Sequence, residues 1–182
     1  MGNPRSRRLG GILPSLAHLV FALWMFALAF TGIPMSLALA EDNPAAQITG
    51  KWTYRSFHNR TEMVTGDPNT ALSLFFAEAV FSLHVGADNK IGGTIDWPGG
   101  GLELQGTLSN AADGVPLTVQ IVGTGRPGTQ TENWEYDYFG YLAHVWPQGE
   151  AQVPAIVGSV LRAKPHGGAP AGYVASFVAV KQ

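Results

Sequence analysis

The residues of this chain predict an all-β domain, an eight-stranded antiparallel up-and-down barrel. Three observations point there. Beyond residue 47, apolar and polar residues alternate with period two in short stretches, the signature of half-buried strands. Between them stand clusters of Gly, Pro, Asn and Asp, which accept the dihedrals of turns. Finally, eight or so such stretches follow one another with no internal repeat or low-complexity run. Pairing them in order and closing the last on the first removes the exposed edges that a flat meander would leave. A β-sandwich is the alternative, since strand spacing alone does not separate the two.

Residues 1–40 read as a secretory signal peptide, and residues 41–182 as a single β-barrel domain. Arg5, Arg7 and Arg8 form a basic start, Leu9 to Leu39 contains no charge, and Ala38-Leu39-Ala40 before Glu41 gives a small-x-small cleavage site. Pro34 would end the apolar helix shortly before the scissile bond. The competing reading is an uncleaved membrane anchor, because Leu16 to Phe30 with its flanks approaches the length of a span. Ser6-Arg7-Arg8 resembles a twin-arginine export motif, but Gly10 and Gly11 follow where that motif expects an apolar residue. The choice between the general and twin-arginine routes stays open. Met1-Gly2 with Ser6 fits a myristoylation pattern, ranked below secretion because a signal-like stretch follows it. The expectation is a periplasmic or secreted protein with no stable membrane insertion after cleavage.

Cleavage removes three of the eleven basic residues and none of the thirteen acidic ones, leaving eight against thirteen, a net charge of −5. An acidic domain without a Lys/Arg cluster argues against nucleic acid as a partner. The chain has no cysteine, so it offers no disulfide, thiolate metal site or lipoprotein anchor. Oligomeric state is left open.

After a short polar lead from Glu41 to Gln47, the first strand is Ile48-Thr49-Gly50-Lys51-Trp52-Thr53-Tyr54-Arg55-Ser56-Phe57-His58-Asn59. Alternation puts Trp52, Tyr54, Ser56 and His58 on one face, aromatic and polar together, which suits a wet, ligand-sized cavity better than a dry core. Arg60 to Asn69 is turn-rich, with Gly66-Asp67-Pro68 as its breaker. Thr70 to Val80 carries helix formers but runs into strand, so a short helix or lid is expected there. Val80 to Val85 and Ile91 to Trp97 form a hairpin around Gly86 to Lys90. Leu102 to Leu108 and Leu117 to Val122 follow, and Gly123 to Thr131 reads as a long loop. In Asn133 to Trp146, period two places Trp134, Tyr136, Tyr138, Gly140, Leu142, His144 and Trp146 on one face. A one-residue slip would bring Phe139 and Tyr141 inward instead, so the inward face of 133–146 is left open. Ala155 to Arg162 is a strand, Lys164 to Pro170 a turn, and Gly172 to Val180 the closing strand.

Ile48-Thr49-Gly50-Lys51-Trp52-Thr53 resembles the opening strand of avidins and, more loosely, the Gly-x-Trp opening of lipocalins. Gly92-Gly93-Thr94, Gly106-Thr107 and the spacing of the last two strands are similar to avidins too. The resemblance implies a calycin β-barrel holding a small ligand inside. It does not extend to the biotin site. Tyr54 and His58 stand where avidins carry a polar amide and a serine, Ser159 where the seventh strand supplies a tryptophan, and Ile95 where the third supplies a tyrosine. The implied occupant is therefore something other than biotin.

No sequence signature of a reaction accompanies this fold. There is no Gly-x-Ser-x-Gly elbow, Ser-x-x-Lys, phosphate loop, dinucleotide fingerprint or His-Glu-x-x-His spacing, so neither cofactor nor metal is expected. Of the five histidines, His18 leaves with the leader, His166 in its Pro/Gly turn is the least informative, and His58 and His144 lie on aromatic faces. Rings with a polar end are favoured where one side is apolar and the other wet. The expected ligand-binding residues are thus Tyr54, His58, Trp97, Trp134, Tyr136, Tyr138 and His144. Three functions fit: a barrel binding a small apolar or aromatic molecule, an isomerase, cyclase or lyase using an interior Tyr or His, or a non-catalytic structural or interaction module.

Overall fold

The computed structural model describes residues 43–60, 67–109, 115–143 and 148–182. The leader, most of the expected turns at 60–69 and 109–114, and His144 and Trp146 lie outside them. Eight strands run β1 (Gly50–His58), β2 (Phe75–Val85), β3 (Lys90–Trp97), β4 (Gly100–Ser109), β5 (Thr118–Gly125), β6 (Glu135–Leu142), β7 (Ala155–Arg162) and β8 (Val174–Lys181). Each pairs antiparallel with the next, and β8 returns to β1, from Trp52 opposite Lys181 to His58 opposite Ala175. One closed sheet results, not two packed sheets.

Alternation settles the inner face. On β1, Trp52, Tyr54 and Ser56 are buried while Lys51, Arg55 and Phe57 are exposed. Their inner-face neighbours across the barrel, including Phe81, Ile95, Leu102, Leu104, Ile121, Tyr138, Val160, Phe177 and Ala179, form one continuous core. On β6 the first register holds, since Tyr138 is buried while Phe139 and Tyr141 are 51% and 43% exposed.

A one-turn helix, α1 (Pro44–Ile48), closes the end of the barrel beside Gly50 and Lys181. The Asn43 side chain caps it by accepting from the Ala45 N–H at 3.1 Å. The Trp52 indole, fully buried, donates to the Ile48 carbonyl at 2.9 Å. Lys181 Nζ donates to the Ala46 and Gln47 carbonyls and lies 5.4 Å from the Trp52 ring.

Two boundaries differ from expectation. The helix expected within 70–80 is only α2 (Pro68–Leu72), whose Leu72 is 71% exposed with no core to pack on; β2 begins at Phe75. Pairing with β1 outweighs the helix propensity of Ala, Leu and Glu here. The loop expected over 123–131 begins later, because β5 runs on to Gly125. Glycine is required at that strand end, since a Cβ on Gly125 would lie 1.5 Å from the Thr131 carbonyl oxygen.

The packing of Trp52 yields a direct test. Trp52→Ala should lower unfolding free energy by about 3 to 5 kcal/mol, read as a fall in urea midpoint at unchanged slope. Trp52→Phe, which retains a ring but loses the donor to Ile48, should lose about 1 to 3 kcal/mol.

Candidate functional site

The end of the barrel opposite α1 is built by the end of β1, the start of β2, and the β3–β4, β5–β6 and β7–β8 connections. Inside it lies a cavity of about 360 Å³. Its inner walls are Tyr54, Ala79, Ile95, Leu102, Tyr138 and Val160, and its rim is Phe76, Trp97, Trp134, Tyr136, Arg162 and His166. That volume lies within the range of small-molecule sites.

The floor is a cluster of four rings. Tyr54 meets Phe81 edge-on at 5.0 Å and Tyr138 at 6.1 Å between centroids, and lies 5.4 Å from Phe177. Such edge-to-face packing matches ring edges to ring faces and fixes the orientation of each. Burial pushes the phenols of Tyr54 and Tyr138 well above the ordinary tyrosine range, so both are neutral hydroxyls at physiological pH.

Two of the rim rings, Trp134 and His166, are delivered by turns. Trp134 follows Asn133, which takes a φ of 67°, and its backbone N–H donates to the Thr131 carbonyl at 2.9 Å. Thr131, 1% exposed, is itself anchored by its hydroxyl to the Gly101 carbonyl at 2.8 Å. On the neighbouring connection, His166 and Ala169 exchange backbone hydrogen bonds of 3.1 and 2.9 Å around Gly167 and Gly168, whose φ values of 56° and 77° suit glycine. This turn lays the His166 imidazole flat on the Trp134 indole, 3.7 Å between centroids and 15° from parallel. Trp97 extends the stack, 6.3 Å from Trp134 and 19° from parallel.

Polar groups converge beside the stack. The Tyr136 hydroxyl is hydrogen-bonded to His166 Nε2 at 2.8 Å and accepts from Arg162 Nε at 3.3 Å. Arg162 Nη1 donates to the Pro170 carbonyl at 3.2 Å, and the guanidinium carbon lies 5.6 Å from the Tyr173 ring and 5.9 Å from the Phe76 ring. Burial, with the Arg162 charge acting the same way, holds the His166 imidazole below the ordinary histidine range. Glu78 borders the same cavity, but its carboxylate is on the outer surface, paired with Arg55 at 3.0 Å. Among the described residues, Arg162 is thus the charged side chain that the cavity meets. No group of three or more His, Asp and Glu placed to hold a metal ion occurs among the described residues.

Of the seven residues expected at a site, Tyr54, Trp97, Trp134, Tyr136 and Tyr138 line this one cavity. His58 does not: half-buried at the end of β1, it packs edge-on to Phe76 and Tyr173 and bonds the Tyr173 hydroxyl through Nδ1. His144 lies outside the described residues, so a His58–His144 pairing is not seen. Ser159 faces outward between Phe139 and Ser176, whereas Val160 and Arg162 supply the seventh strand's inner contribution.

Three residues of the rim are not among the seven expected from the sequence. A histidine in a Pro/Gly turn carries no periodic signal, yet the turn is what brings His166 over Trp134. Arg162 ends its strand, and its separation of two from Val160 places it on the inner face. Phe76 carried no signal, because a bulge opposite Ser56 and Phe57 shifts the register there and turns its ring to the rim.

Because the folded chain holds the His166 proton less tightly than the unfolded chain, stability conferred by the neutral stack is full above the ordinary histidine range and declines as pH falls through it. A ring-proton NMR titration should place the His166 midpoint below about 6.5. This part of the pH dependence should vanish in His166→Gln, and a midpoint above that value would refute the packing described.

The chain matches no family model, and no curated protein and no solved structure is significantly similar to it, so the chemistry of the site is read from its geometry.

Proposed function

We propose that this is a calycin-like binding protein which, once its leader is removed, works in the periplasm or outside the cell and holds a small aromatic or apolar molecule inside its barrel. The observation that carries this reading is the flat Trp97–Trp134–His166 stack at the rim of a cavity with an aromatic floor. A barrel filled by its own side chains, as a purely structural module would be, has no need of such a cavity. The described residues include no helix long and apolar enough to cross a membrane.

Magnitudes bound the affinity. A bicyclic ligand burying roughly 300 Å² contributes about 7.5 kcal/mol, and three ring contacts add about 3 kcal/mol. Association costs at least about 4 kcal/mol, so the net of about 6.5 kcal/mol corresponds to a dissociation constant on the order of ten micromolar.

Catalysis is the second reading, favoured by one arrangement: the Tyr136 hydroxyl is held between an imidazole and a guanidinium, as a proton donor or acceptor in an isomerase or lyase would be. The two readings separate on Tyr136→Phe. An enzyme loses turnover and retains ligand affinity, whereas a binding protein shows no turnover to lose.

Tryptophan fluorescence titrated with aromatic, terpenoid and fatty-acid ligands should show saturable quenching by the ring-bearing members. Trp134→Ala should weaken their binding about threefold to tenfold, the loss of one ring contact. If no ligand in the panel perturbs the fluorescence, the binding function is wrong.

A further inference from the structure

Three other described cations near this end of the barrel, Arg55, Arg126 and Lys164, have acidic partners. Arg55 pairs with Glu78 at 3.0 Å, Arg126 with Asp96 at 2.7 Å and Glu103 at 2.5 Å, and Lys164 with Glu135 at 2.7 Å. Those pairs lie on the outer surface, where water screens them and each contributes little. Arg162 differs in position and in partners. It is on the inner face, borders the cavity, and is flanked by the Phe76 and Tyr173 rings. Among the described residues no carboxylate is within ion-pairing distance of it, and its two hydrogen bonds go to neutral oxygens, the Tyr136 hydroxyl and the Pro170 carbonyl.

A guanidinium has five N–H donors in a planar fork. Two are used, one on Nε and one on Nη1, leaving the second N–H of Nη1 and both of Nη2. These remaining donors make the end-on fork that grips a carboxylate through two parallel hydrogen bonds. The two anchored donors fix the plane of the fork, so little side-chain entropy is lost when an anion arrives. Aromatic walls lower the local polarity, which strengthens attraction to a charge of opposite sign.

From this juxtaposition we propose that the occupant is a small aromatic carboxylate, its ring against the Trp97–Trp134–His166 stack and its carboxylate on the free fork of Arg162. The proposal rests on the binding function argued above and names the chemical class of its ligand. The protein's net negative charge does not draw such an anion from a distance, so recognition falls to this one local cation.

Calorimetric titration with 2-naphthoate and its neutral isostere 2-naphthamide, at neutral pH and low salt, tests the charge separately from the ring. A charge-assisted fork should give 2-naphthoate about a tenfold to hundredfold tighter dissociation constant. Arg162→Gln, with an unchanged circular dichroism spectrum, should reduce that preference to less than about threefold. If the glutamine variant does not fold, Arg162→Lys takes its place: it retains the charge without the fork, and the preference should fall by at least about threefold. Equal affinity of wild-type protein for both compounds would overturn the carboxylate and leave ring binding standing. A preference that persists in the Arg162 variants would overturn the role of Arg162. Failure of both compounds to bind would overturn the carboxylate proposal and count against ring binding itself.

Discussion

The pairing of β8 with β1 is the constraint on which the rest depends. It makes β1 a strand with neighbours on both sides, so no row of backbone donors and acceptors is left for another chain. It also divides every strand into an inner and an outer face. Once Trp52 is opposite Lys181 and His58 opposite Ala175, the inner positions Tyr54 and Ser56 have no choice of side. A slip of one residue would place Lys51 and Arg55 in the core and three aromatic or polar inner residues in water. The cavity is therefore a product of closure and register, not of any single loop.

The two ends of the barrel solve opposite problems. At the α1 end, Trp52 is fully buried, its one polar atom satisfied by Ile48, and Lys181 ties the strand end to the helix carbonyls. Space there is filled. At the other end the inner residues include Ala77 and Ala79 on β2 and Gly123 on β5, too small to meet across the barrel, and the large rings stand at the rim. A Cβ on Gly123 would come within 3.1 Å of Leu104 and Tyr138, so the glycine lets the ring of Tyr138 lie close against β5. Small inner residues, with large rings at the strand ends and on two of the connections, leave a cavity between them.

The sequence was most informative where a strand runs straight. Alternation placed Tyr54 on β1 and Tyr136 and Tyr138 on β6 correctly, because period two survives wherever pairing is regular. It was least informative where the chain bends. The bulge at Ser56 and Phe57 turns Phe76 toward the rim, a displacement that no count of residues anticipates. Glycines in β5 read as loop because their usual meaning is flexibility, whereas here Gly125 permits close approach of Thr131 and Gly123 that of Leu104 and Tyr138. His166 illustrates the same limit: a histidine among Pro and Gly has no periodicity, and only the geometry of the turn assigns it to Trp134. His58 is the converse, correctly placed on the inner face yet one strand position too far out to border the cavity.

Order at the rim matters for what the site does with its rings. Each immobilised side chain costs binding energy if the ligand must order it, and nothing further if the protein already has. Here the ordering is done beforehand. Thr131 anchors the turn behind Trp134, the His166–Ala169 bridge sets the imidazole plane, and Tyr136 joins that imidazole to Arg162. The same links couple the rim groups to one another, because a change in the protonation of His166 alters the partner of Tyr136, which in turn is the acceptor for Arg162. A preorganised rim of this kind favours flat ligands that meet the stack as it stands over flexible chains that would have to be straightened. The aromatic surface, fixed in place by two turns, therefore does more to define the occupant than the volume it encloses.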